Sequence, residues 1–160
     1  MAEIDYVVRE ISLNYSGIVN LNELYNLIRS WFNERGFFLM EKESEGSEEE
    51  SGNNFYTKFE AFKKVEESTK YFIVVKIKSK SLKETSEQQS YQGNFNIIFQ
   101  SYLEKDYEDK YENKPMLKFF REIYGKLVAK SRFNKYESQL YDFTHEFYNE
   151  VKAFLNLAKL

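Results

Sequence analysis

Apolar and polar positions alternate in two neighbouring stretches near the middle of the chain, residues 71–79 and 93–103. In the first stretch every second residue is apolar: Tyr71, Ile73, Val75 and Ile77. The second stretch repeats the pattern with Phe95, Ile97, Phe99 and Leu103. A period of two is typical of a β-strand with one buried face. The two stretches therefore predict adjacent strands that present a single apolar surface to a covering layer.

Weaker alternation predicts three further strands, in residues 10–19, 37–40 and 55–66. Two polar segments between the strands are predicted as exposed loops, residues 41–54 and 80–92. The first of these loops contains six glutamates but lacks the ligand spacing of a calcium loop. We therefore expect a solvated acidic connection there, without a bound cation.

A helix is predicted between the first two strands. Asn20 and Glu23 form a capping-box pattern, and Gly36 supplies a stop signal. Between these signals, apolar residues recur every three or four positions: Leu24, Leu27, Ile28, Trp31 and Phe32. This spacing indicates a helix with one face on the sheet.

The C-terminal part, residues 115–160, is predicted to be helical. Pro115 suits a first helical turn, and residues 116–128 form an apolar arc too wide for one neighbour to cover. After a predicted bend at residues 131–134, a second helix has an apolar seam of Tyr136, Leu140, Phe143, Phe147, Val151, Phe154 and Ala158.

The predicted order is β-α-β-β-β-β-α-α within a single α+β domain of residues 1–160. We expect an antiparallel sheet of about five strands with a long C-terminal helix across it, as in helix-grip and TATA-binding-protein-like layers. Such an analogy concerns the fold and carries no function.

Composition narrows the function classes. The chain has no cysteine, which excludes disulfides and thiolate metal sites, and its net charge is -3. It contains no apolar run of membrane-spanning length, and its first residues include acids where a secretion signal has bases. We therefore expect a cytoplasmic protein without a membrane span.

The sequence contains no recognisable catalytic, metal or cofactor motif. His145 is the only histidine, which leaves too few ligands for a zinc site. No Gly-x-Ser-x-Gly motif accompanies any serine, so no serine hydrolase with a Ser-His pair is indicated. The six glycines do not form a phosphate-binding loop. Carboxylate pairs are frequent but are not placed across a cleft by any pattern, so enzymatic activity is left open and a non-enzymatic role is favoured.

Six basic residues on and beyond the first C-terminal helix form a possible nucleic-acid face: Lys118, Arg121, Lys126, Lys130, Arg132 and Lys135. The acidic net charge makes nucleic acid an unlikely partner, since binding to phosphates draws on excess positive charge.

Two segments resemble small uncharacterised proteins of archaea with small genomes. One is the run of residues 107–121, and the other is residues 150–157. Their sequences are Tyr107-Glu108-Asp109-Lys110-Tyr111-Glu112-Asn113-Lys114-Pro115-Met116-Leu117-Lys118-Phe119-Phe120-Arg121 and Glu150-Val151-Lys152-Ala153-Phe154-Leu155-Asn156-Leu157. The resemblance implies a cytoplasmic archaeal setting and no activity.

Three functions are compatible with these observations. The first is a non-enzymatic binding or scaffold protein that forms a homo-oligomer or binds a protein partner. The second is a carrier of helix-grip type for a small apolar ligand or lipid, with a cavity lined by Trp31, Phe59, Ile73, Phe95, Ile97 and Phe147. The third is weak nucleic-acid binding.

Overall fold

The computed structural model describes residues 3–50, 52–105 and 115–158, with side chains described for all of these except residues 115–134 and 157–158. This part of the chain forms seven elements: β1 (Glu3–Asn20), α1 (Leu21–Glu34), β2 (Phe38–Glu49), β3 (Gly52–Glu66), β4 (Thr69–Glu84), β5 (Ser90–Lys105) and α2 (Pro115–Ala158).

The strands form one antiparallel sheet in the order β1-β5-β4-β3-β2. The central pairs are in the register that the alternation requires, with Ile77 opposite Ile97 and Val75 opposite Phe99. β1 and β2 lie at opposite edges, so α1, which connects them, must cross the sheet. The predicted α+β class with a five-stranded antiparallel sheet and a C-terminal helix is confirmed.

Both helices pack on the face of the sheet that carries Tyr71, Ile73 and Val75, which we call the inner face. These residues are between 0% and 1% exposed. Trp31 of α1 and Phe147 of α2 meet above this face with ring centroids 4.8 Å apart. The core is therefore aromatic where the two helices and the sheet converge.

The predicted start of α1 is confirmed. The side-chain oxygen of Asn20 accepts a hydrogen bond from the backbone N–H of Glu23 at 3.1 Å. At the other end, Gly36 has φ +78°, a left-handed conformation that suits glycine. Lys63 of β3 donates to the carbonyl of Arg35 at 2.9 Å, which satisfies an acceptor at the C-terminal end of the helix.

α2 lies on the sheet through a small buried polar contact. Thr144 and Ser101 are both 0% exposed, with their hydroxyl oxygens 2.8 Å apart. The Thr144 hydroxyl is also 2.7 Å from the carbonyl of Leu140. Both contacts are satisfied when Thr144 donates to the carbonyl and Ser101 donates to Thr144. Short side chains here allow the helix to approach the sheet closely.

Both predicted loops are wrong in extent. Residues 41–54 are mostly strand, because β2 continues to Glu49 and pairs with β3 along its length. Residues 80–92 contain the ends of β4 and β5, which leaves only 85–89 between the strands. Backbone pairing with a neighbouring strand outweighs the low β-propensity of glutamate and lysine.

Two other boundaries differ from the predictions. β1 begins at Glu3, and register shifts between Tyr6 and Ile11 interrupt the alternation that would have marked its first half. The predicted bend at residues 131–134 is absent, and α2 is one helix of 44 residues. These four residues include no proline or glycine that would break a helix. No helix in the described ranges has the length and apolarity needed to span a membrane.

Candidate functional site

The six residues predicted to line a cavity all belong to the hydrophobic core. Trp31, Phe59, Ile73, Phe95, Ile97 and Phe147 are each no more than 3% exposed. Phe147 contacts the rings of Trp31, Phe32 and Phe99 at centroid distances of 4.8 to 5.6 Å. The structure thus brings the six together, and around Phe147 neighbouring rings occupy the space between sheet and helices.

Of the predicted nucleic-acid face, only Lys135 has a described side chain, and it is exposed. The side chains of Lys118, Arg121, Lys126, Lys130 and Arg132 lie outside the described residues, although their backbone belongs to α2. His145 is half-buried, with its ring centroid 4.1 Å from that of Tyr141. Among the described residues, no group of three or more histidine, aspartate or glutamate side chains is placed to hold a metal ion.

The most distinctive surface feature is a row of aromatic side chains on the opposite, outer face of the sheet. Each of the five strands contributes one ring, and every member is directly opposite the next in the strand register. In spatial order the aromatic row consists of Phe38 (β2), Phe62 (β3), Phe72 (β4), Tyr102 (β5) and Tyr6 (β1). It therefore crosses the sheet from one edge to the other.

Ring contacts are continuous along the aromatic row. The centroid distances are 5.3 Å for Phe38 and Phe62, 5.8 Å for Phe62 and Phe72, 4.9 Å for Phe72 and Tyr102, and 5.5 Å for Tyr102 and Tyr6. The two ends are the most exposed, Phe38 by 59% and Tyr6 by 50%, whereas Phe72 at the centre is 8% exposed. Among residues with described side chains, none from either helix makes a ring contact with the row.

Charged side chains of both signs border the aromatic row. The Arg9 guanidinium lies 5.4 Å from the Tyr6 ring centroid, and the Lys70 ammonium lies 5.6 Å from that of Phe62. Burial, followed by the nearby carboxylates of Glu60 and Glu104, raises the pKa of Tyr102 to about 12. The phenol is therefore neutral and a hydrogen-bond donor at physiological pH.

Away from the aromatic row, most outer-face positions are polar, with Ile18, Val74 and Ile98 among the apolar exceptions. The side-chain amide of Asn96 donates to Ser12 at 2.8 Å and to Asn14, and Ser16 donates to Asn94 at 2.7 Å. The remaining outer positions of β4 towards its end are lysines 76, 78 and 80. The aromatic row itself lies at the end of the sheet where β5 finishes.

Two depressions in the described part of the molecule adjoin α1. One, of about 540 Å³, lies between α1 and the edge strand β2, and Arg29, Glu41 and Phe59 contribute to its lining. The other, of about 420 Å³, is bounded by the start of α1 and by β2 to β5. Its apolar lining residues are Leu21, Phe55, Leu82 and Tyr91. Both volumes are in the range of small-molecule sites.

Sequence reasoning missed the aromatic row. The residues of the row stand at the alternate strand positions that the pattern predicts to face solvent. Phe72, for example, falls on the same parity as Lys76 and Lys78. The available signal was one aromatic residue on the polar face of each strand. It becomes meaningful only when the register places the five residues side by side.

Comparison with known proteins does not identify a family. No protein-family model matches the chain, and no curated protein matches it. A solved structure of an uncharacterised protein from Rhizobium leguminosarum aligns over 91% of this chain and 99% of its own, with 8% sequence identity and a TM-score of 0.22.

Proposed function

We propose that this protein is a non-enzymatic structural or scaffold protein that associates with a second copy of itself through the aromatic row on the outer face of its sheet. The observation that carries the proposal is the row itself, with Phe38 and Tyr6 exposed by 59% and 50% at its two ends. A contiguous row of aromatic side chains with exposed rings at both ends is typical of an interface.

The charges beside the row favour a second copy as the partner. In an interface with two-fold symmetry, both copies contribute the same surface patch. Such an interface is favourable when the patch carries both positive and negative charges. Arg9 and Lys70 border the row together with Glu60 and Glu104, which allows opposite charges to meet across such an axis.

The ring geometry argues against single-stranded nucleic acid at this face. Nucleobases stack on aromatic faces that are free to receive them. The Phe72 and Tyr102 planes are only 7° from parallel, so each ring occupies a face of the other. The neighbouring carboxylates of Glu60 and Glu104 would also repel phosphates.

Sedimentation velocity tests the proposal on the full chain and two charge variants. We expect the unmodified protein to form dimers and Phe38→Glu to be monomeric, because a buried unpaired carboxylate opposes association. The matched control is Ile18→Glu, since Ile18 is also exposed, by 46%, on the outer face of an edge strand but lies away from the row. A monomeric unmodified protein, or a Phe38→Glu dimer, would contradict the proposal.

A small apolar ligand is the second candidate function. The 420 Å³ depression beside Leu82 and Tyr91 supports it, because its lining mixes apolar side chains with the amides of Asn53 and Asn54. Native mass spectrometry of gently purified protein tests this function. A stoichiometric bound mass that Leu82→Trp abolishes would favour it, and repeated absence of any bound mass would count against it.

A further inference from the structure

The second half of α2 lies on the inner face close to one end of the sheet. Among the α2 residues with described side chains, which begin at Lys135, the ring centroid of Tyr136 is 6.1 Å from that of Tyr71, and Gln139 accepts a 2.6 Å hydrogen bond from the Tyr71 hydroxyl. Tyr71 is paired with Leu103, and β5 ends at Lys105. Only two further residues of sheet remain at this end.

The first part of α2, residues 115–134, is much longer than these two strand residues. Residues 115–134 are continuous with the packed part of α2, and twenty residues of α-helix have a length of about 30 Å. Two strand residues extend for only about 7 Å. We call residues 115–134 the arm, because most of its length exceeds the sheet of its own chain.

The arm has the sequence of a helix that needs an apolar partner. Within it, apolar residues recur at three- and four-residue intervals: Leu117, Phe119, Phe120, Ile123, Tyr124, Leu127 and Val128. A stripe of this width predicts burial of about half of the helix circumference, more than a single neighbour within the chain would cover. A stripe of this size is rarely left in contact with water.

The apolar stripe and the aromatic row have matching lengths. The row crosses four inter-strand spacings, which is about 19 Å. Residues 117–128 of a helix extend for about 17 Å. A helix laid across the strands at the row would thus place its stripe over rings from all five strands.

The charges also match. Residues 115–135 include six basic residues and one acidic residue, and the chain as a whole has a net charge of -3, so the rest of the chain is more acidic still. Glu60 and Glu104 lie next to Tyr102 in the row. These two carboxylates attract a basic helix.

We propose that the arm of one copy lies across the aromatic row of a second copy, and that the second copy returns the same contact, so that the dimer forms by reciprocal arm exchange. This inference rests on the proposed function, since it names the part of the second copy that covers the row. The row and the protruding arm are at the same end of the sheet, where β5 finishes, which allows both contacts to form around one two-fold axis.

The test combines a row variant with an arm variant, each on the full chain. The row variant is Phe38→Glu, and the arm variant is Phe120→Glu with Leu127→Glu, two positions seven residues apart on one helix face. Ala129→Glu is the arm control, because helical spacing places position 129 on the face opposite the apolar stripe. Circular dichroism establishes that each variant retains its helix and sheet before association is measured by sedimentation.

Arm exchange predicts that each variant alone is monomeric and that an equimolar mixture forms a heterodimer. In the mixture the intact arm of the row variant meets the intact row of the arm variant, which restores one contact of the two. We expect the heterodimer to be at least about tenfold tighter than either variant homodimer and weaker than the unmodified dimer. The Ala129→Glu variant should dimerise normally.

The other outcomes separate this inference from the proposed function. A dimeric arm variant beside a monomeric row variant would overturn arm exchange and leave association through the row intact. Monomeric variants whose mixture stays monomeric would also overturn arm exchange. A dimeric row variant would overturn both proposals, because the row would then be dispensable for association.

Discussion

The Phe72 and Tyr102 rings stack on the outer face of the sheet with centroids 4.9 Å apart and planes 7° from parallel. They are directly opposite each other on the central strands β4 and β5. A shift of one residue in this register would move one ring to the inner face, which is filled by Tyr71 and Leu103. The pair therefore stabilises the strand alignment as well as the aromatic row.

A double-mutant cycle measures this contact. We expect Phe72→Leu and Tyr102→Leu to be coupled by about 0.5–1.5 kcal/mol in the free energy of unfolding, because each variant removes the same stacking interaction. Urea denaturation of the two single variants and the double variant provides the measurement. Strictly additive losses would show that the stacked arrangement contributes nothing beyond burial.

The buried hydroxyl pair of Thr144 and Ser101 gives a second prediction. Thr144→Val keeps the side-chain shape but leaves the Ser101 hydroxyl without its partner, so we expect a loss of about 1–3 kcal/mol. Adding Ser101→Ala removes the orphaned group, and the double variant should recover part of that loss. A double variant no more stable than Thr144→Val alone would show that the two hydroxyls are not energetically coupled.

Alkaline pH should destabilise the protein through its tyrosines. Burial, then the negative charge of Glu41, raises the pKa of Tyr25 from 10.0 to about 12, and burial raises that of Tyr102 equally far. The folded state thus retains protons that the unfolded state loses, so stability is complete below about pH 10 and decreases between about pH 10 and pH 12.

Urea midpoints measured across this pH range test the prediction, with the double variant Tyr25→Phe and Tyr102→Phe as the control. The variant lacks both phenols, so its midpoint should decrease less steeply above pH 10 than that of the unmodified protein. Parallel curves for the two proteins would show that these phenols do not control the alkaline transition.

Arg35 contacts Trp31 at the end of α1 and Glu146 of α2, and we expect the two residues to contribute unequally to stability. Its guanidinium lies 4.1 Å from the Trp31 ring and donates to the Trp31 carbonyl at 3.1 Å, and it also pairs with Glu146 at 2.6 Å. The Glu146 side chain is 50% exposed, so solvent screens this pair. We expect Glu146→Gln to cost less than about 1 kcal/mol and Arg35→Ala to cost more, about 1–2 kcal/mol.

Thermal or urea unfolding of both variants measures the difference, and Arg35→Lys separates charge from stacking. Lysine keeps the positive charge beside Glu146 but loses the planar group over the indole. Its stability should therefore be close to that of Arg35→Ala. A lysine variant as stable as the unmodified protein would assign the effect to charge instead.

Sequence patterns predicted the parts of this fold that depend on local physics. The alternation in residues 71–79 and 93–103 predicted the central strands, and Asn20 with Glu23 predicted the start of α1. In each case the residues that produce the signal also make the stabilising contact, such as the hydrogen bond from the Glu23 N–H to Asn20.

The remaining features depend on contacts between distant residues. β2 is a strand along Glu41 to Glu49 because β3 pairs with it, and no local preference of glutamate would indicate this. The aromatic row could not be predicted because the strand order places β1 beside β5, so that Tyr6 lies opposite Tyr102. The alternation within a single strand determines neither the strand order nor the pairing register.

The glutamates of β2 have a consequence for solubility. This strand forms an edge of the sheet, and its unpaired backbone groups could recruit a strand of another chain and begin a fibre. Its exposed acidic side chains are Glu41, Glu43, Glu45, Glu48 and Glu49. Repulsion between the same charges on two approaching edges opposes such growth. The glutamates of β2 can thus protect the chain from aggregation through its sheet edge, even where they contribute little to the folding free energy.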